Sequence, residues 1–121
     1  MKTTHDILTL PNESTIKESF LPDAEKIISG HPQQNIWNVY SSPDGKFHGG
    51  IWDCQAGEWQ VNYSEEEYCQ ILEGESIIID ANGDQKTVTA GEQFIIPAGF
   101  RGVWKVPAYC KKTYVVYEAQ L

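Results

Sequence analysis

The chain is poor in positive charge. It carries 9 Lys and Arg against 17 Asp and Glu, a formal net charge of −8 over 121 residues. A nucleic-acid surface needs a basic footprint to displace condensed counterions, and an anionic membrane needs the same, so the balance excludes both partners. Cysteine is scarce. Cys54, Cys69 and Cys110 are odd in number and form no C-x-x-C pair, so neither a zinc knuckle nor a disulfide framework fits. They read as small buried thiols of a reducing compartment. No apolar run approaches the ~18 residues of a membrane-crossing helix. The opening "MKTTHDILTLPNE" lacks the apolar core of a signal peptide, and a cytoplasmic location is expected. Long helical periodicity is missing after residue 30, which excludes a parallel βαβ organisation.

What remains is apolar and aromatic. Hydrophobic residues make up 40 % of the chain and four Trp are present, enough for one core and one domain. "LPDAEKIISGHPQQN" opens with Pro22 and Asp23 and stops at Gly30 and Pro32, which predicts a short helix near residues 23 to 29. Beyond it come strands divided by turn signals about every eight to twelve residues, the spacing of a sandwich or barrel. "PDG" at residues 43 to 45 turns the chain, "GEW" at 57 to 59 interrupts a strand, and a tight turn is expected at Glu73 to Glu75. Asn82-Gly83 is a strong hairpin signal, and "YCKKTYVVYEAQ" reads as the final strand. The expected organisation is an arm over residues 1–35, with its helix packing on the barrel or on a partner, and one barrel domain over residues 36–121.

Two stretches carry a family resemblance. In "GEQFIIPAGFRG", Gly91, Pro97 and Gly99 have the spacing of the second cupin motif; in "EYCQILEG", Glu67 and Gly74 have that of the end of the first. With Trp52, Trp104, Lys112 and Tyr114, residues 36 to 118 resemble the cupin subfamily containing the ureidoglycine aminohydrolase domain, with ethanolamine-utilisation cupins as more distant relatives. The resemblance implies an all-β jelly-roll barrel (a double-stranded β-helix), here with the short N-terminal helix, and often a homodimer.

It also implies a metal site of two His and one Glu from the first motif and one His from the second, a donor set for a first-row divalent ion. Glu67 fills the Glu position. The His positions of the first motif fall on Val61 and Tyr63, on Gln60 and Asn62, or on Tyr63 and Glu65, depending on the end counted from. That of the second falls on Gly102. None is a histidine. His5, His31 and His48 lie elsewhere, and only His48 sits on a strand where it can face the interior. No His-based metal and no cofactor is therefore expected. Glu65 and Glu67 share a strand face and suit, at most, a weakly held hydrated cation.

Alternation along strands gives the lining. With Glu67 inward, Cys69 and Ile71 follow it, and Tyr68 and Leu72 face outward, where a dimer would cover them. Trp104 and Val106 point in, and Lys112, Tyr114 and Val116 share one face. The expected ligand-binding set is Tyr63, Glu65, Glu67, Trp104, Lys112 and Tyr114, with Glu67 and Lys112 as the candidates for acid–base chemistry. Three functions fit this set. One is a cupin that binds a small polar or zwitterionic metabolite without a His-held metal. The second is an enzyme of ureidoglycine aminohydrolase-like or isomerase/lyase type. The third is a packed structural barrel in which Glu67–Lys112 is only an internal ion pair.

Overall fold

A computed structural model describes residues 1–12 and 15–119. Among them are eight strands: β1 (Lys17–Phe20), β2 (Ile27–Gly30), β3 (Gln34–Ser41), β4 (Phe47–Asn62), β5 (Glu66–Asp80), β6 (Gln85–Thr89), β7 (Gln93–Ile96) and β8 (Arg101–Tyr117). All pair antiparallel, along the path β1-β3-β4-β8-β5-β6, with β2 also on β4 and β7 also on β5. The fold is all-β, and no helix among the described residues is long and apolar enough to cross a membrane.

Three long strands, β4, β8 and β5, run side by side through the whole molecule. Register shifts break β4 between Gln55 and Gly57 and β5 between Gly74 and Ile77, both opposite the Val106–Cys110 stretch of β8. Pro107, which has no N–H to give to a ladder, falls in this stretch. Here the sheet folds over. Trp104 and Lys112 would stand ~26 Å apart on a straight strand, yet the Lys112 ammonium lies 4.3 Å from the centre of a Trp104 ring. Gly74 belongs to this bend: its φ is +74°, and a Cβ there would collide with the Tyr109 carbonyl. One layer holds β1, β3, β7 and the outer ends of β4, β5 and β8; the other holds β2, β6 and their inner ends. Trp52 against Trp59 and Trp104, and Phe94 against Trp104, join the two layers at ring-centre distances of 5.9–6.5 Å.

Several local expectations are corrected. The helix over residues 23 to 29 is a 3-10 turn at Ala24–Lys26 followed directly by β2, and a second 3-10 turn lies at Thr4–Asp6. Asp23 makes no side-chain cap, and the β-branched pair Ile27-Ile28 lies where the chain takes up pairing with Gly57–Trp59 of β4. The tight turn at Glu73–Glu75 is instead a bulge inside β5. "GEW" does not end its strand either, because the shift beside it only bends β4. The Asn82-Gly83 turn does connect β5 to β6, with Gly83 at φ +86°. The last strand ends at Tyr117, and Gln120 lies outside the described residues.

Candidate functional site

The space left between the layers is a cavity of about 530 Å³. All six residues of the expected set border it: Tyr63, Glu65, Glu67, Trp104, Lys112 and Tyr114. Alternation along β5 and β8 orients Glu67, Trp104, Lys112 and Tyr114, whereas Tyr63 and Glu65 lie in the connection between Asn62 of β4 and Glu66 of β5.

At the floor, Lys112 Nζ lies 3.1 Å from Glu67 Oε2. The two residues are 4 % and 6 % exposed, so the ion pair is almost wholly buried. Lys112 is held on both sides of its backbone, opposite Trp52 of β4 and Ile71 of β5. Its ammonium sits between two indole faces, 4.6 Å from the centre of Trp52 and 4.3 Å from that of Trp104. Neither indole is free to turn. Trp52 Nε1 donates to Gln34 Oε1 at 2.7 Å, and Trp104 Nε1 donates to Ser76 Oγ at 2.9 Å. Burial opposes the Lys112 charge, but the neighbouring Cys69, Glu67 and Tyr63, as they ionise, outweigh it and raise the Lys112 pKa above the ordinary lysine value. Burial pushes the Cys69 thiol up to about 12, with Lys112 opposing and Glu67 reinforcing the shift. The Tyr63 phenol is raised by burial in the same way. At neutral pH Lys112 is therefore an ammonium, ringed by neutral thiol and phenol.

The remaining members stand higher. Tyr114 donates its hydroxyl to Asn38 Oδ1 at 2.8 Å, and burial, then Glu67, raises its pKa to about 12. Tyr63 closes the barrel seam: its N–H donates to the Phe100 carbonyl, and its own carbonyl accepts from Gly99 N–H. Glu65 accepts from the Ser64 hydroxyl at 3.1 Å and takes no part in the ion pair. His48 is a packing residue at the barrel end, with its ring nitrogens against Ser41 Oγ and the Gly45 carbonyl at 2.7 and 2.8 Å.

Sequence reasoning missed other lining residues. Trp59 lies on the inner face only because the shift near Ala56 reverses the alternation set by Trp52 and Cys54. Gln34 and Ile36 come from β3, at the border of the expected domain. Phe20 to Asp23 and Lys26 form one lip of the cavity, brought there by the pairing of β1 and β2. Trp52, quoted for the resemblance, was a signal that could have placed that strand against the floor.

The metal site that such a barrel implies does not fit these residues. Gly102 holds the second motif's ligand position, and a Cβ there would collide with the Ile79 carbonyl, so this backbone admits no side chain. Val61 and Tyr63 bring no imidazole, and the Glu67 carboxylate is already engaged by an ammonium. Among the described residues, no three His, Cys, Asp or Glu side chains are grouped to hold an ion.

The profile of the EutQ-like cupin domain family matches residues 41–114. The chain belongs to that cupin family. Solved structures share the fold. A DUF861-family protein of unknown function from Pseudomonas syringae superposes with a TM-score of 0.78 at 23 % identity, over 88 % of this chain and 46 % of that one. The cupin chain thus spans about half the length of that relative. EutQ of Clostridium difficile gives a TM-score of 0.66 at 20 % identity, over 84 % of this chain and 75 % of that one. A DUF861 protein of Thermotoga maritima is 31 % identical, with a TM-score of 0.51, over 53 % of this chain and 73 % of that one. No curated protein matches the sequence.

Proposed function

We propose that this cupin binds a small polar or zwitterionic metabolite in its barrel, without a His-held metal. The observation that carries the reading is a cavity of about 530 Å³ that ends on a buried, oriented ion pair. Interiors are close-packed, so a barrel kept only for its structure would fill that space with side chains. The volume is in the range of small-ligand sites, and the cavity combines flat aromatic walls with a few convergent polar groups. A zwitterion finds complementary partners there: the Glu65 carboxylate for its cationic end and the phenol of Tyr63 for its anionic end.

A thermal-shift screen tests this, because a ligand that binds only the folded state raises the melting temperature. N-carbamoylglycine, β-alanine, glycolate and ethanolamine are suitable probes. At least one is expected to raise the melting temperature of the wild type, and Glu65→Ala or Tyr63→Phe to reduce the shift. No shift from any probe counts against a binding role.

A second reading, an enzyme of ureidoglycine aminohydrolase-like or isomerase/lyase type, is favoured by the grouping of Glu67, Lys112 and Tyr63 at one end of the cavity. Ammonia release from ureidoglycine assays it. Glu67→Gln should abolish turnover if the site is catalytic and only weaken binding if it is not. The proposal includes a homodimer, supported by the exposed aromatic group of Tyr40, Phe47 and Tyr117 at one end of the sheet. Sedimentation at micromolar concentration tests it, with a monomer as the contrary result.

A further inference from the structure

The inner face of the barrel carries one buried carboxylate, Glu67, and one buried ammonium, Lys112, among the described residues. We propose that Lys112 is a built-in cation, and that the slot around its ammonium is an ammonium receptor rather than a vacated metal site. Three features of the slot point this way. Its single carboxylate meets Nζ at 3.1 Å, matching one positive charge rather than two. Its side walls are the faces of Trp52 and Trp104, 4.6 and 4.3 Å from Nζ. Indole faces attract an alkylammonium through their quadrupole and offer no lone pair to a metal ion. Both rings are fixed by hydrogen bonds to Gln34 and Ser76, so the slot keeps its shape independently of the lysine tail. A divalent ion would instead need several oxygen, nitrogen or sulfur donors, and no such group exists among the described residues.

The lysine tail enters from β8, whose backbone is paired on both sides at that point. Cutting the tail back should therefore leave a slot of unchanged lining that is open to a free primary ammonium. Lys112 has this part whether or not the cavity in front of it takes a metabolite.

The test uses the wild-type chain and variants at positions 67 and 112. Lys112→Ala is expected to raise the unfolding constant roughly 10²–10³-fold, because it strands a buried carboxylate. Propylammonium chloride should then raise its melting temperature by several degrees, whereas sodium chloride at the same concentration, Zn(II) and Mn(II) should not. Glu67→Gln/Lys112→Ala should lose that response. Lys112→Met, which keeps the tail's volume, covers a Lys112→Ala protein that does not fold. It should be strongly destabilised alone and largely restored by Glu67→Gln. Rescue of Lys112→Ala by a divalent metal but not by propylammonium would overturn the proposal. So would wild-type protein binding one divalent ion per chain in a manner that Glu67→Gln removes. A Lys112→Met protein as stable as the wild type would show that the charge has no part in the slot.

Discussion

The two ends of the barrel interior are lined by the same three strands and differ in what fills them. At the bend, Cys54, Cys110, Ser76, Val88 and Val106 are wholly buried. Toward the arm, Val61, Tyr63, Glu65 and Ile36 stand around a cavity that reaches down to the ion pair. Trp104, 1 % exposed, separates the two ends. The packed end holds the sheets together through area removed from water. The open end forgoes that gain at Val61 and Ile36, and it keeps its charged pair in place with two anchored indoles. Stability and recognition are thus assigned to different stretches of the same strands.

Substitutions in each end can break or sharpen this division. Trp104→Ala should have the largest effect, roughly 3–5 kcal/mol in urea denaturation, since it opens the wall between the ends. Ile71→Ala, fully buried beside Lys112, should cost roughly 2–5 kcal/mol, whereas Val61→Ala, half-exposed at the cavity, should cost less than about 1 kcal/mol. Equal losses at 71 and 61 would remove the distinction. Alkaline pH probes the buried thiols. Burial pushes Cys54, at the bend, up to about 12. The stability it gives is complete below an unfolded thiol pKa of about 8.5 and is lost as pH climbs toward 12. Lys112, also raised, acts in the same direction at higher pH. Urea midpoints should therefore fall above pH 9, and Cys54→Ala should flatten the fall by about 2 kcal/mol near pH 10. The smallest effect belongs to the rim. Lys26 and Asp23 are 3.9 Å apart and mostly exposed, and Lys26→Ala should change stability by less than about 0.5 kcal/mol.

Much of this architecture was legible in the sequence. Gly91, Pro97 and Gly99 named the barrel, Asn82-Gly83 its hairpin, and alternation brought Glu67, Lys112, Tyr114 and Trp104 to one place, because period-2 patterns carry orientation wherever a strand is unbroken. The limits are equally physical. A bulge shifts the phase by one residue and has no fixed signature, so Trp59 was missed. Pro22-Asp23 resemble a helix start and Gly30 a helix stop, yet pairing of β2 with β4 overrides that local preference. The lip formed by Phe20 to Lys26 is a product of tertiary pairing, which no local pattern announces. At Gly102 the sequence reveals the lost ligand, and only the approach of the Ile79 carbonyl reveals that nothing else fits there.

The division between a packed and an open end is tested most directly by filling the open end. Val61→Phe occupies part of the cavity without touching the ion pair, and its melting temperature should be compared with that of the wild type, with and without the probes of the thermal-shift screen. The account predicts a filled protein as stable as the wild type or more so, together with a ligand shift in the wild type that disappears in the variant. Equal shifts in both proteins, or none in either, would contradict it.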